Sequence, residues 1–108
     1  MSLKKLIPVL ETVFERDQIR MLQVKKRSEE LDQEIQRLSA MKRSKFSSSE
    51  PHLMRQQERY IDWVSGEIEK LKKSKGALEP ELREARDALK LSFGRLEAAR
   101  KIVAESSV

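Results

Sequence analysis

Arg43-Ser44-Lys45-Phe46-Ser47-Ser48-Ser49-Glu50-Pro51 is the one stretch at which an otherwise continuous helical pattern stops. Its serines compete for backbone hydrogen bonds, and proline cannot continue a helix that precedes it. Ser47 with Glu50 fits a capping box, and Ser49 could equally cap a helix that tolerates Pro51 in its first turn. Either way a second helix starts near residues 48 to 50. A break this short between two long helices returns the chain antiparallel.

On the N-terminal side, steps of alternately four and three residues pass through Leu3, Ile7, Leu10, Phe14, Asp17, Met21, Val24, Ser28, Leu31, Ile35 and Leu38, apolar except at Asp17 and Ser28. On the C-terminal side the same count runs Ile61, Val64, Ile68, Leu71, Lys75, Leu78, Leu82, Ala85, Leu89, Ser92, Leu96, Ala99 and Val103, apolar except at Lys75 and Ser92. Narrow seams with charged flanks are the signature of coiled coils rather than of strands or broad-faced surface helices. The expected fold is all-α: an antiparallel two-helix coiled-coil hairpin, with helices over about 3–44 and 50–104, a loop over about 45–49, and a disordered tail at 105–108. Residues 1–104 form a single domain. Pro8 leaves open where the first helix begins, and Gly76 with Pro80 predicts a local kink in the second.

Composition agrees. The chain has 108 residues, 38% hydrophobic and 38% charged, with no cysteine and three glycines, which leaves too little apolar matter for the core of a large enzyme. No window approaches the ~20 apolar residues of a membrane span, and the start lacks a signal-peptide run. A cytoplasmic protein is expected.

The seams also suggest a register. Leu3 falls beside Leu89, Ile7 beside Ala85, Leu10 beside Leu82, Phe14 beside Leu78, Met21 beside Leu71, Val24 beside Ile68 and Leu31 beside Ile61. Asp17 then meets Lys75, so opposite charges at one layer would pin the register; the alternative is that both reach solvent from an exposed seam. A register one heptad away needs a longer loop and separates that pair. In the preferred register the second helix overshoots the first. Phe93, Leu96, Ala99 and Val103 then form an unpaired apolar strip roughly 20 Å long, which serves as a docking strip for a partner helix or simply frays or self-associates.

Chemistry is sparse. His52 is the sole histidine and has no cysteine with which to share a metal, the glycines do not cluster into a phosphate loop, and carboxylate pairs such as Glu29–Glu30 and Glu79–Glu81 sit among lysines and arginines that account for them. No catalytic residue, metal site, cofactor or small-molecule substrate is expected, and the chain reads as a non-enzyme. The net charge is +5. Basic clusters at Lys25-Lys26-Arg27 and Lys70-Lys72-Lys73-Lys75 are interspersed with acids and lack an aromatic platform, so they read as solvated faces and disfavour nucleic acid. Lys42, Arg43, Lys45, Arg55 and Arg59 instead crowd the hairpin tip, where a basic surface could steer into an acidic ring or pore. Tyr60 and Trp63 flank the seam one turn apart near that tip. Trp63 either anchors a partner or lies flat over a thin core.

The opening Leu3-x-x-Leu6 to Leu10-Glu11, the step Arg59-Tyr60-Ile61-Asp62-Trp63-Val64 and the downstream Asp87-Ala88-Leu89-Lys90-Leu91-Ser92 resemble the FliJ/YscO family, the stalk subunits of flagellar and type III secretion export ATPases. The resemblance spans most of the chain. It implies an antiparallel coiled coil inserted into an export ATPase hexamer, promoting ring assembly and contacting the export gate membrane protein, with secretion chaperones as further partners and a location at the periphery of the secretion apparatus. In such a protein the aromatic patch near the tip touches the gate. Trp63 and Tyr60 match that pattern, with Met41 and Phe46 the nearest bulky residues on the other side of the turn. Two other readings of the same residues are a generic coiled-coil adaptor or tether and a basic nucleic-acid-associated hairpin.

Overall fold

The computed structural model describes residues 2–44 and 51–106. It contains two α-helices and, among the described residues, no strand: α1 spans Leu3–Ser44, 42 residues, and α2 spans Pro51–Ser106, 56 residues. The chain is a two-helix hairpin. The expected loop lies outside the described residues, and with it Lys45 and Phe46. Pro51 is the first residue of α2, a position where its missing amide is no loss. The helix also runs further than predicted: Glu105 and Ser106, assigned from sequence to a disordered tail, are helical, with the Ser106 hydroxyl donating to the Val103 carbonyl at 3.1 Å. Residues 107 and 108 lie outside the described set.

At the other end, α1 begins at Leu3, with the Lys5 amide bonded to the Ser2 carbonyl at 3.0 Å. Pro8 sits inside the helix, and the Thr12 hydroxyl donates to the Pro8 carbonyl at 2.9 Å. α2 is likewise continuous through Pro80. Contacts group the hairpin into a central unit, Arg27–Glu79, and a terminal unit that joins α1 up to Lys26 with α2 from Pro80. The boundary in α2 thus falls where the helical ladder loses an amide.

In the central unit the core is Leu38, Val64 and Ile68, with Ile35, Met41, Tyr60 and Leu71 packed against it. In the terminal unit Ala85, Leu96 and Ala99 are buried, together with Val24, Asp17 and Ser92. Every one of these buried residues belongs to the two seams counted in the sequence. The period was therefore legible residue by residue.

The register was not. In the terminal unit the Phe14 ring stacks on Phe93, centroids 5.5 Å apart and planes tilted by 44°, rather than lying beside Leu78. Glu11 meets Arg100 at 3.5 Å, and Arg20 meets Glu84 at 3.6 Å. The helices are antiparallel, but offset from the expected register by about two heptads. The overhang disappears with that offset. Leu96 and Ala99, expected on an unpaired docking strip, are buried against α1, Val103 is half-buried, and only Phe93 remains largely exposed.

The expected Asp17–Lys75 pin fails for the same reason. Asp17, only 5% exposed, accepts bonds at 3.3 Å from both Nε and Nη2 of its neighbour Arg16. Lys75 pairs with Asp32 at 2.6 Å within the central unit. Each charge finds a partner without the other: Asp17 on its own helix, and Lys75 across the seam on α1, in a pairing that fits the observed register rather than the expected one.

Crosslinking tests the offset in a chain that has no cysteine of its own. A short bifunctional thiol reagent should join Glu11→Cys to Arg100→Cys. It should leave Glu11→Cys and Glu81→Cys unjoined, although the sequence-based register places that pair together.

Candidate interaction site near the turn

The tip-proximal half of the hairpin carries the residues that the sequence singled out. Its chemistry follows from how α1 and α2 present them within the central unit. Trp63 stands outside the seam and remains 58% exposed. Its ring lies 6.3 Å from that of Tyr60, with planes tilted by 36°. Tyr60 packs against the Leu38–Val64–Ile68 cluster, so it is the footing and Trp63 the exposed member of the pair. Of the two sequence readings, an outward Trp63 is the observed placement; the indole does not cover the core.

Met41 is half-buried and also packs against this cluster. It is held by Arg37, whose Nη1 donates to the Met41 sulfur at 3.3 Å while Nε donates to Glu34 at 2.9 Å and Nη2 makes a second bond to that carboxylate. Arg37 was missed by the sequence reading. Its signal was present in the spacing, since Glu34 and Met41 lie three and four residues away and so share a helical face with it.

Hydrogen bonding from Arg37 holds the Glu34 carboxyl below its ordinary value of 4.5, with desolvation opposing and the charge of Arg37 adding to the effect. The same hydrogen bond, and the charge of Glu34, raise the guanidinium of Arg37. A depressed carboxylate contributes stability above its unfolded-state value, and that contribution is lost as pH falls through the folded one. The pair is exposed, so the effect on folding is slight. Carboxyl-detected NMR should place the Glu34 midpoint below 4.5 and return it to that value in Arg37→Ala.

On the other flank the two helices leave an open groove of about 770 Å³. Its floor is Ile61 and Ile68, and its walls include Ser39 and Ser65 with Lys42, Arg43 and Lys72 at the rim. The cause is side-chain size. Where a coiled coil normally places long side chains beside the seam, α1 and α2 here both place serine, so nothing bridges over the isoleucines. Lys72 also meets Glu69 at 3.9 Å. An apolar floor with a mostly cationic rim can take an apolar side chain from a segment bearing carboxylates.

The predicted basic tip is thus placed in part. Lys42 is half-buried at the groove, while Arg43, Arg55 and Arg59 are exposed on the two helices. Further along α2, Lys70 bonds Glu67 at 3.2 Å, and Lys75 and Lys72 have the acidic partners already described. Three of that cluster's four lysines are thus ion-paired, and Lys73 is exposed.

Among the described residues no His, Cys, Asp or Glu side chains gather in threes as metal ligands would, and no helix is long and apolar enough to cross a membrane. No protein-family model, curated protein or solved structure matches the chain.

Proposed function

We propose that this chain is a non-enzymatic stalk subunit of a flagellar or type III protein-export ATPase, inserting its hairpin into the ATPase ring and contacting the export gate. The observation that carries the reading is Trp63, an indole held 58% exposed on Tyr60 at the tip-proximal part of a two-helix coiled coil. Large aromatics fixed in place but left in water are the residue type that dominates binding energy at protein interfaces. The cations on the same stretch, Arg43, Arg55 and Arg59, supply long-range attraction to acidic surfaces of a ring or gate. The resemblance of Arg59–Val64 to export stalk proteins names which ring and which gate. Secretion chaperones would be secondary partners, and the working location is the cytoplasmic periphery of the export apparatus.

The test is a binding and hydrolysis assay with purified export ATPase and with the soluble domain of an export gate protein. Binding to the ATPase that promotes its hexamerisation or hydrolysis supports the proposal. Trp63→Ala should weaken gate binding by a factor of ten or more while leaving the melting curve in place, since the indole contributes little to the core. A chain that neither binds the ATPase nor changes its assembly or turnover is a coiled-coil adaptor or tether of another lineage.

A further inference from the structure

The exposed indole of Trp63 is supported by residues of both helices. Trp63 lies on Tyr60, ring centroids 6.3 Å apart, and Tyr60 packs against the Leu38–Val64–Ile68 cluster. Met41 of α1 packs against the same cluster. Methionine is unbranched, with three rotatable bonds and a polarizable sulfur, so a half-buried one is a soft support unless something fixes it. Arg37 does so, donating from Nη1 to the Met41 sulfur at 3.3 Å. Its Nε and Nη2 are both taken by Glu34, one to each carboxylate oxygen. A planar guanidinium gripped along one edge has its remaining donor already aimed. Beyond the hydrogen bond and charge of Glu34, the Tyr60 phenol also raises the guanidinium of Arg37, which puts those two side chains within electrostatic reach across the helices.

We propose that Arg37 is a positioning residue for partner binding: clamped by Glu34, it fixes Met41 and with it the support under Tyr60, so that Trp63 meets its partner already ordered. The proposal rests on Trp63 being the partner anchor. An ion pair three residues apart on a helix surface does nothing of this kind by itself. What sets Arg37 apart is the third bond, which carries the fixed geometry of the pair into the packing that both helices share. Ordering a side chain at an interface is a cost of association, and losing an order set in advance should weaken binding about two- to tenfold.

Trp63 is the chain's only tryptophan and Tyr60 its only tyrosine, so intrinsic fluorescence reads this site alone. On the full chain, Arg37→Ala should lower the anisotropy of Trp63 and raise its acrylamide quenching constant about twofold, with circular dichroism unchanged. Arg37→Lys keeps the charge and loses the fork, and should behave like Arg37→Ala. Met41→Leu keeps the volume and loses the sulfur, and should fall between that variant and wild type. Lys72→Ala breaks a surface pair with Glu69 on the other flank, and should leave the indole as it was. Affinity for the gate domain should fall in Arg37→Ala, by less than in Trp63→Ala. An indole equally ordered in Arg37→Ala overturns the proposal, as does one that Lys72→Ala loosens to the same degree. An indole loosened by Arg37→Ala alone establishes the positioning without any partner present. If Trp63→Ala then binds the gate domain like wild type, the anchor role is what fails.

Discussion

Leu96→Asp should unfold the terminal unit. Leu96 is buried in the seam of α2, within one heptad of Phe93 and Arg100, whose contacts to Phe14 and Glu11 bring α1 alongside. A carboxylate at that position is forced into an apolar layer of the seam, with only Arg95 and Arg100 of the same helix near enough to compensate it. A buried charge left without a partner costs about 3–5 kcal/mol, which sets the upper end of the expected loss, a large part of the total stability of a small domain. Leu96→Ala removes only packing and should cost about 2–5 kcal/mol, towards the low end because a two-helix seam can relax around the void. Thermal melts followed by circular dichroism read both, and amide exchange should show protection lost around residues 7–14 of α1 as well as around the mutation. The overshooting register predicts the opposite. There Leu96 lies on an unpaired strip, and aspartate at that site would be neutral or would improve solubility. A wild-type melting curve for Leu96→Asp would thus return the hairpin to that register.

Replacing all three glycines by alanine should have the largest stabilising effect. Gly66, Gly76 and Gly94 lie within α2, none has a positive φ, and a Cβ added at any of them meets nothing within 4 Å. Each therefore carries the entropic cost of glycine in a helix without needing its conformational freedom. The gain is about 0.8–1 kcal/mol per site, and the sites are far enough apart along the helix for their effects to add. The triple variant should gain about 2–3 kcal/mol, with each kcal/mol worth roughly 4–8 °C in Tm for a domain of this size. Gly76 is the most informative of the three singly. The ring of Pro80 crowds the carbonyl of residue 76, and glycine looked from sequence like relief for that turn. The open space around a Cβ at residue 76 says that alanine is accommodated. A lower melting temperature for Gly76→Ala alone would mean that the turn before Pro80 uses glycine after all.

The placements near the turn divide according to whether they depended on one helix or on two. Trp63 was legible as an outward aromatic because its angle from the seam follows from α2 alone. The surroundings of Met41 were not legible, because they depend on Arg37 beside it and on the Leu38–Val64–Ile68 cluster, of which two members come from the other helix. The groove over Ile61 and Ile68 was not visible at all, since it exists only because Ser39 of α1 and Ser65 of α2 fall at the same level.

What the amino-acid order settled without help is the all-helical character, the position of the turn and the face each helix buries. All three are local properties, carried by a seven-residue period, by serines and a proline, and by helix propensity along a single strand of backbone. The alignment of one helix on the other was decided only in the folded molecule. A heptad pattern presents a new candidate alignment every seven residues, each with apolar residues facing apolar residues, so period alone cannot choose among them. The choice follows from size and shape across the seam. With Phe14 on Phe93, the small buried residues Ala99, Ser92 and Ala85 come level with Ile7, Phe14 and Met21, large against small at successive layers. Asp17, the charge that seemed to demand Lys75, is satisfied by the adjacent Arg16 and so places no constraint on α2.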